Sequence, residues 1–308
     1  MISAPRNPNL APAMALAQRG DHGAALAYVE RELARHHAPA DLGTLLQAGR
    51  ICRAANDNVA AAGYFQQAVK QSPGAAEPAY LFASMLFELG HPSTKVALGY
   101  LLELHPRHGP GWYLSGRQSL AHGEHERALE AFGHAIAIDE AMDQAHFQRA
   151  NTLQALGRDD AALDAFRTAL QLAPHVMEIH FNYGLLLHKT GALDAAAAAL
   201  RACTRLSPPY ADAWYNLGLV QQDQRLHMEA AASFRAALTH RPGYAEAAVN
   251  LGIVLQEAGD VNAAKQAYGQ ALTLQPSAFG RIAQALTGGG RGELWLDLAA
   301  LRAHLLEQ

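Results

Sequence analysis

The chain has 308 residues, of which 50% are hydrophobic, 17% charged and 7% aromatic. A composition this rich in alanine and leucine favours close-packed helices over a β-sandwich, which needs β-branched and aromatic residues. No apolar run approaches the roughly 20 residues of a membrane-spanning helix. The balance of 24 basic against 28 acidic side chains argues against a nucleic-acid-binding surface. Cys52 and Cys203 form no CxxC pair, and we find no secretory signal, so we expect a cytoplasmic protein without a disulfide scaffold.

Self-similarity at a fixed period organises the chain. The segment 211–218, Ala-Asp-Ala-Trp-Tyr-Asn-Leu-Gly, recurs in related form at 177–184 and at 245–252. In chain order, the first unit is 6–39, which fits the pattern loosely, and the second is 42–75, which fits it well. The third unit, 76–108, is one residue short, and its second half fits the pattern poorly. Five regular units follow, 109–142, 143–176, 177–210, 211–244 and 245–278. After them we predict a helix over Arg281–Leu286, a glycine-rich loop over Gly288–Gly292 and a last helix over Glu293–Leu306.

Six positions of the 34-residue unit keep one type of residue. Position 8 is small, in Gly49, Gly116, Ala150, Gly184, Gly218 and Gly252. Position 24 is large, in Phe65, Phe132, Phe166, Leu200, Phe234 and Tyr268. Position 15 is glycine except for Asn56 and Arg225, positions 20 and 27 are small, and position 32 is proline except for Glu140. Small residues let two helices approach, the large residue fills the space between helix pairs, and proline ends a helix.

This pattern resembles the tetratricopeptide repeat (TPR) family, whose unit is a pair of antiparallel helices. The resemblance implies an all-α TPR solenoid, a right-handed superhelix of stacked antiparallel helix pairs, with the first helix of each pair lining a concave groove. We expect residues 1–108 to form degenerate N-terminal units, about three helix pairs of which 42–75 is well formed. Residues 109–278 would form five regular units, and residues 279–308 a C-terminal cap.

The predicted cap carries a helical apolar stripe, as the end of a solenoid requires. The stripe consists of Leu294, Trp295, Leu298, Leu301 and Leu305. Residues 294–298 could also be read as a short strand.

Two rows of side chains follow the predicted groove. Position 5 of the last five units holds Tyr113, Phe147, Phe181, Tyr215 and Val249, and position 6 holds Leu114, Gln148, Asn182, Asn216 and Asn250. Rings anchor peptides, and a side-chain amide can pair with a peptide backbone because it both donates and accepts hydrogen bonds. The TPR superhelix of O-GlcNAc transferase is similar in having an asparagine ladder. The predicted partner-binding residues are Tyr113, Phe147, Gln148, Phe181, Asn182, Tyr215, Asn216, Val249 and Asn250. The alternative is that the rings pack between first helices and that the asparagines belong to the repeat consensus.

Charges along the first helices suggest the chemistry of a partner. The C-terminal half carries Glu178, Asp212, Asp223, Glu246 and Glu257, against Lys189 alone, and Arg117 lies in the middle of the chain. A protein or extended peptide with basic or polar segments would complement this acidic surface.

The sequence gives no positive sign of catalysis or of a cofactor. His122 and His125 flank the turn at Gly123, and His146 and His180 occupy position 4, where a large residue packs. No metalloprotease, nucleophile-elbow or P-loop motif occurs, and the glycine-rich loop lacks the lysine of a P-loop. We therefore expect no enzyme activity, no metal and no cofactor.

Three functional hypotheses fit these observations. The first is a non-catalytic scaffold or adaptor that binds a partner in its groove. The second is a substrate-presenting subunit of a glycosyltransferase or another modifying enzyme. The third is a self-assembling solenoid, a homodimer formed through the cap or the convex face.

Overall fold

The computed structural model describes residues 8–35, 40–288 and 298–306. All regular secondary structure in these ranges is helical, which confirms the all-α class. The chain divides into two compact units, Met1–Thr152 and Leu153–Gln308.

The first unit consists of helix pairs. Its helices are α1 (Ala11–Gln18), α2 (His22–Arg35), α3 (Leu42–Ala54), α4 (Asn58–Gln71), α5 (Ala76–Glu88), α6 (Thr94–Leu104), α7 (Gly109–Ala121) and α8 (His125–Ile138). The division between the units falls within α9 (Asp143–Ala155). Odd-numbered helices are the first of each pair, and even-numbered helices are the second.

The second unit continues the same alternation. Its helices are α10 (Asp159–Leu172), α11 (Met177–Lys189), α12 (Leu193–Leu206), α13 (Ala211–Asp223), α14 (His227–His240), α15 (Ala245–Ala258), α16 (Val261–Leu274), a 3-10 turn (Pro276–Ala278), α17 (Phe279–Gly288) and α18 (Leu298–Leu306). The helix predicted over Arg281–Leu286 thus lies within α17.

The small and large landmark residues meet inside each helix pair. A Cβ atom placed on Gly218 would lie 2.6 Å from Cε1 of Phe234, and one on Gly252 would lie 2.4 Å from Cε1 of Tyr268. Both rings are fully buried. Glycine therefore lets the large residue of the second helix lie directly on the backbone of the first helix.

The turn within each pair needs a left-handed backbone at position 15. Gly123 has φ +71° and Gly259 has φ +92°. The two departures from glycine keep the same conformation, with φ +61° at Asn56 and +63° at Arg225. The turn geometry is thus maintained even where the residue that favours it is missing.

A side-chain hydrogen bond ties the start of a pair to the end of the pair before it. The ring nitrogen at position 4 lies 2.8–3.1 Å from the carbonyl oxygen at position 32 in the pairs Trp112–Pro106, His146–Glu140, His180–Pro174 and Trp214–Pro208. Packing alone was the predicted role of the two histidines. The structure adds a polar contact that fixes successive pairs against each other.

Buried apolar residues form clusters in both units. One cluster of buried residues extends from α14 to α18, whereas the described part of the first unit contains smaller clusters. Leu305 of α18 is buried in the large cluster, and α18 packs against α16. Residues 294–297, with Leu294, Trp295 and most of the alternative strand, lie outside the described residues, and so does the start of the predicted last helix.

Within the described part of the chain, no helix is both long and apolar enough to cross a membrane.

Candidate partner-binding face

The first helices of the second unit carry two rows of predicted binding residues. Phe181 and Asn182 lie on α11, and Tyr215 and Asn216 lie on α13. Asn250 lies on α15, and each of these five side chains is half-buried. Helix α11 packs against α13. We call the surface formed by α11, α13 and α15 the first-helix face.

The amide row and the ring row are joined by a hydrogen bond. Asn250 Nδ2 donates to the hydroxyl oxygen of Tyr215 over 3.1 Å. The Tyr215 ring is held in turn between other rings, with its centroid 4.8 Å from that of Tyr244 and 5.8 Å from that of Phe234. Both groups are therefore fixed before any ligand arrives.

Asn216 has a different partner because the residue at position 5 of the pair before it is Phe181, which has no hydroxyl group. Its Nδ2 atom donates instead to the carbonyl oxygen of Asp212 in its own helix, over 2.8 Å. The Phe181 ring packs edge-on against Tyr210, with centroids 4.9 Å apart. Asn182 also interacts with a neighbouring group.

The first unit repeats the tyrosine–amide arrangement. Burial raises the pKa of the Tyr113 hydroxyl, and a hydrogen bond with the Gln148 side chain partly offsets that effect. The Arg117 guanidinium lies 4.8 Å from the ring centroid of Phe87 and 5.9 Å from that of Tyr113. Phe147 is half-buried and also has a partner. A tyrosine at position 5, followed by an amide at position 6 of the next pair, is the sequence signal for this bond.

Val249 differs from the rest of its row. It is 1% exposed and belongs to the core cluster on which Ala278 and Phe279 pack. The structure therefore places Val249 in the core and does not bring it to the surface with Tyr215.

Asp212 lies at the edge of the first-helix face in a polar cluster. Its carboxylate accepts two hydrogen bonds from Arg241, at 2.8 and 2.7 Å, and a third from the Tyr244 hydroxyl at 3.0 Å. The hydrogen bonds from Arg241 hold the pKa of Asp212 below its usual value. Burial and the hydrogen bond to Asp212 raise the pKa of Tyr244. Arg241 also lies 4.6 Å from the centroid of the Tyr244 ring.

Two of the other four carboxylates predicted to make this face acidic have histidine partners. Asp223 Oδ2 lies 2.6 Å from His188 Nε2, and Glu257 Oε2 lies 3.2 Å from His227 Nδ1. Lys189, the predicted lone base, pairs with Asp159 at 2.8 Å. Arg241, the partner of Asp212, follows a second helix, so the charges of the first helices alone do not reveal this pair. The face is therefore less acidic than the sequence suggested.

The structure gives no sign of a metal centre in the residues that it describes. None of their His, Cys, Asp and Glu side chains form a group of three or more that could hold a metal ion. Cys52 and Cys203 are buried free thiols, and burial raises the pKa of each to about 11. Neither thiol is therefore activated as a nucleophile.

Comparison with known proteins gives a family and a set of similar folds. The profile of a family described as tetratricopeptide repeat matches residues 10–76, 147–211, 194–245 and 215–279, together more than half of the chain. No curated protein matches.

Three solved structures illustrate the fold. MamA is 22% identical, with TM-score 0.51 over 53% of this chain and 95% of that one. A segment of MamA from Desulfovibrio magneticus RS-1, residue 41 to its end, is 21% identical, with TM-score 0.51 over 55% of this chain and 96% of that one. YrrB, described as a TPR protein with an unusual peptide-binding site, is 20% identical, with TM-score 0.51 over 74% of this chain and 99% of that one. At these identities the likeness concerns the fold.

Proposed function

Because the chain belongs to the tetratricopeptide repeat family, we propose that it is a non-catalytic scaffold whose first-helix face binds an extended segment of a partner protein. The observation that carries this proposal is the set of half-buried rings and amides at matching positions of α11 and α13, with a further half-buried amide at the matching position of α15. Side chains that recur from pair to pair can contact an extended peptide at regular intervals.

The asparagines are suited to pair with a peptide backbone. An asparagine amide has two N–H donors and one carbonyl acceptor. Asn216 and Asn250 each use one N–H group in an internal hydrogen bond, which leaves the second N–H and the carbonyl oxygen for a ligand. Because the internal bonds already orient the amides, binding loses less side-chain entropy.

The rings supply apolar anchoring beside the amides. Phe181 packs edge-on against Tyr210, and Tyr215 packs against Tyr244, so both rings have fixed orientations. Half-buried aromatic side chains of this kind contribute a large share of the energy at protein interfaces.

The charge of the face favours a polar partner more than a strongly basic one. Glu178 and Glu246 are exposed and form no ion pair among the described residues, whereas Asp212 is engaged by Arg241. The remaining acidic groups would favour basic side chains at a few points along the partner.

A peptide ligand and a reducing location complete the proposal. YrrB, a protein of the same fold, is described as having a peptide-binding site. Two buried free thiols and no CxxC pair fit the cytoplasm.

The test is selection of a displayed library of random 12-residue peptides on the immobilised full chain, followed by affinity measurements on the enriched peptides. In the variant with Asn182→Ala, Asn216→Ala and Asn250→Ala together, affinity should fall by about 2–3 kcal/mol, from about 1 kcal/mol per net hydrogen bond.

The matched control is Asn262→Ala, since Asn262 is an exposed asparagine on second helix α16. It should leave affinity unchanged. Enriched peptides that bind the triple alanine variant as tightly as the wild type would contradict the proposal, and so would a library that yields no binder.

A further inference from the structure

Two crevices run between the second helices of the second unit. One lies between α12 and α14 over a floor formed by α13, with a volume of about 530 Å³. The other lies between α14 and α16 over α15, with a volume of about 480 Å³. We call them the second-helix crevices. Neither includes a residue of the predicted partner-binding set.

The crevices share one construction, displaced by a single repeat. Leu217 in the floor of the first occupies the same position of its repeat as Leu251 in the floor of the second. Arg201 on the wall of the first corresponds in the same way to Arg235 on the wall of the second. A ligand therefore meets an apolar floor beside an arginine in both crevices.

The floor of the first crevice is rigid and mainly apolar. The half-buried Trp214 ring is held by its Nε1–H group, which donates to the carbonyl oxygen of Pro208 over 2.9 Å. Ser233 donates to Oε1 of Gln221 over 2.6 Å, so these two buried polar groups satisfy each other. Apolar side chains can therefore enter without leaving those groups unpaired.

The rims carry basic side chains that no carboxylate of the described residues neutralises. Arg201, Arg205 and Arg235 are exposed and form no ion pair within the described residues. Arg167, which occupies the position of Arg201 in the preceding pair, is bound to Asp164. Glu229 is the one carboxylate among the described residues that line the two crevices.

The corresponding crevice of the first unit lacks this chemistry. It has a similar volume, about 540 Å³, but Ser115 and Ser119 lie in its floor where the second unit has Leu217 and Gln221. Its basic side chains are already neutralised, because Glu124 lies 3.4 Å from Lys95 and 2.9 Å from Arg127.

We propose that the second-helix crevices form a second interaction surface, which binds an acidic protein segment with apolar side chains. Aliphatic or aromatic side chains of the partner occupy the two crevices, and its carboxylates pair with Arg201, Arg205 and Arg235. Charge complementarity selects this partner, since unpaired arginines beside an apolar floor favour carboxylates beside apolar groups.

The test uses a displayed library of random 12-residue peptides, selected on the full chain that carries the three asparagine-to-alanine changes of the first-helix face. Enriched peptides should combine Asp or Glu with Leu, Ile, Phe or Trp. Their affinity should fall by about tenfold or more when Arg201, Arg205 and Arg235 are changed together to Glu, and less when they are changed to Gln. High salt should also weaken the binding of these peptides.

Arg167→Glu is the matched control and should leave the peptides bound, because Arg167 lines neither crevice. Circular dichroism of each variant checks that the fold is kept.

The proposal is overturned if no peptide is enriched, if the enriched peptides are not acidic, or if the charge reversal leaves their affinity unchanged. It is also overturned if sedimentation shows self-association that the charge reversal abolishes, since the occupant would then be a second copy. Because the selection is made without the asparagine row, its result is independent of the proposal for the first-helix face.

Discussion

The helix pairs α5–α6 and α13–α14 share one architecture but differ in how they are packed. Helix α14 has 14 residues and places the fully buried Phe234 on Gly218. Helix α6 has 11 residues, and there Leu98 packs with Ala83 in a small cluster. The regular placement of a large side chain on a small residue therefore packs the two helices of α13–α14 together more extensively than those of α5–α6.

This difference has a consequence for stability. In a repeat protein each pair is stabilised by its own packing and by its interface with the next pair. The continuous core of α14–α18 should therefore open less often than the smaller clusters of the described part of the first unit.

Removing the large residue should have the greatest effect. Phe234→Ala should lower the free energy of unfolding by about 3–5 kcal/mol, because it leaves a cavity beside Gly218. Leu98→Ala in α6 should cost about 2 kcal/mol, at the lower end of the range for leucine. Urea unfolding followed by circular dichroism measures both. Met228→Ala, an exposed change on α14, is the control, and a Phe234→Ala cost below about 1 kcal/mol would contradict the packing described here.

The left-handed turns should respond differently in the two units. Arg225→Gly should raise stability by about 1 kcal/mol, because a side chain is strained at φ +63°. Asn56→Gly should gain only a few tenths of a kcal/mol, because asparagine tolerates this conformation. Thermal unfolding gives both values, and Gly259→Arg should have the opposite sign. Equal gains at both sites would show that side-chain strain is not the cause.

The tyrosine–amide bonds should contribute similarly in both units. Tyr215→Phe and Tyr113→Phe each remove a hydroxyl that pairs with an amide, and each should cost about 1 kcal/mol in urea unfolding. Tyr28→Phe is the control, since the Tyr28 hydroxyl has no hydrogen bond among the described residues. If both changes cost no more than the control, the bonds do not stabilise the fold.

The smallest effect concerns the stability of the fold at acidic pH. The pKa of Asp212 is depressed in the folded state by Arg241, so the pair contributes stability above the unfolded pKa of about 3.9 and loses it as the pH falls through the folded pKa. Asp212→Asn should therefore cost less than about 1 kcal/mol at pH 7, and the difference from the wild type should shrink below about pH 4. Thermal unfolding across this pH range measures it, and a difference that stays constant would contradict the ion pair.

The sequence predicts the helix pairs well because their landmarks are local and recur in every regular repeat. Even Arg225, a departure from glycine, keeps the left-handed turn between α13 and α14. Which side chains pair with each other is harder to predict from the sequence. The bond between Arg241 and Asp212 joins residues 29 apart, at the two ends of one repeat unit. Val249 keeps the period of the ring row but is a valine buried in the core cluster, so its position in the repeat does not give its exposure.

Side-chain amide NMR tests the central claim, the binding role of the asparagine row, most directly. The full chain would be labelled with nitrogen-15 in asparagine, its signals assigned by single substitutions, and titrated with a peptide selected on the wild-type chain. The account predicts that the side-chain NH2 signals of Asn182, Asn216 and Asn250 shift on binding, while that of Asn262 stays in place. Unshifted signals from all three asparagines, with the peptide bound, would contradict it.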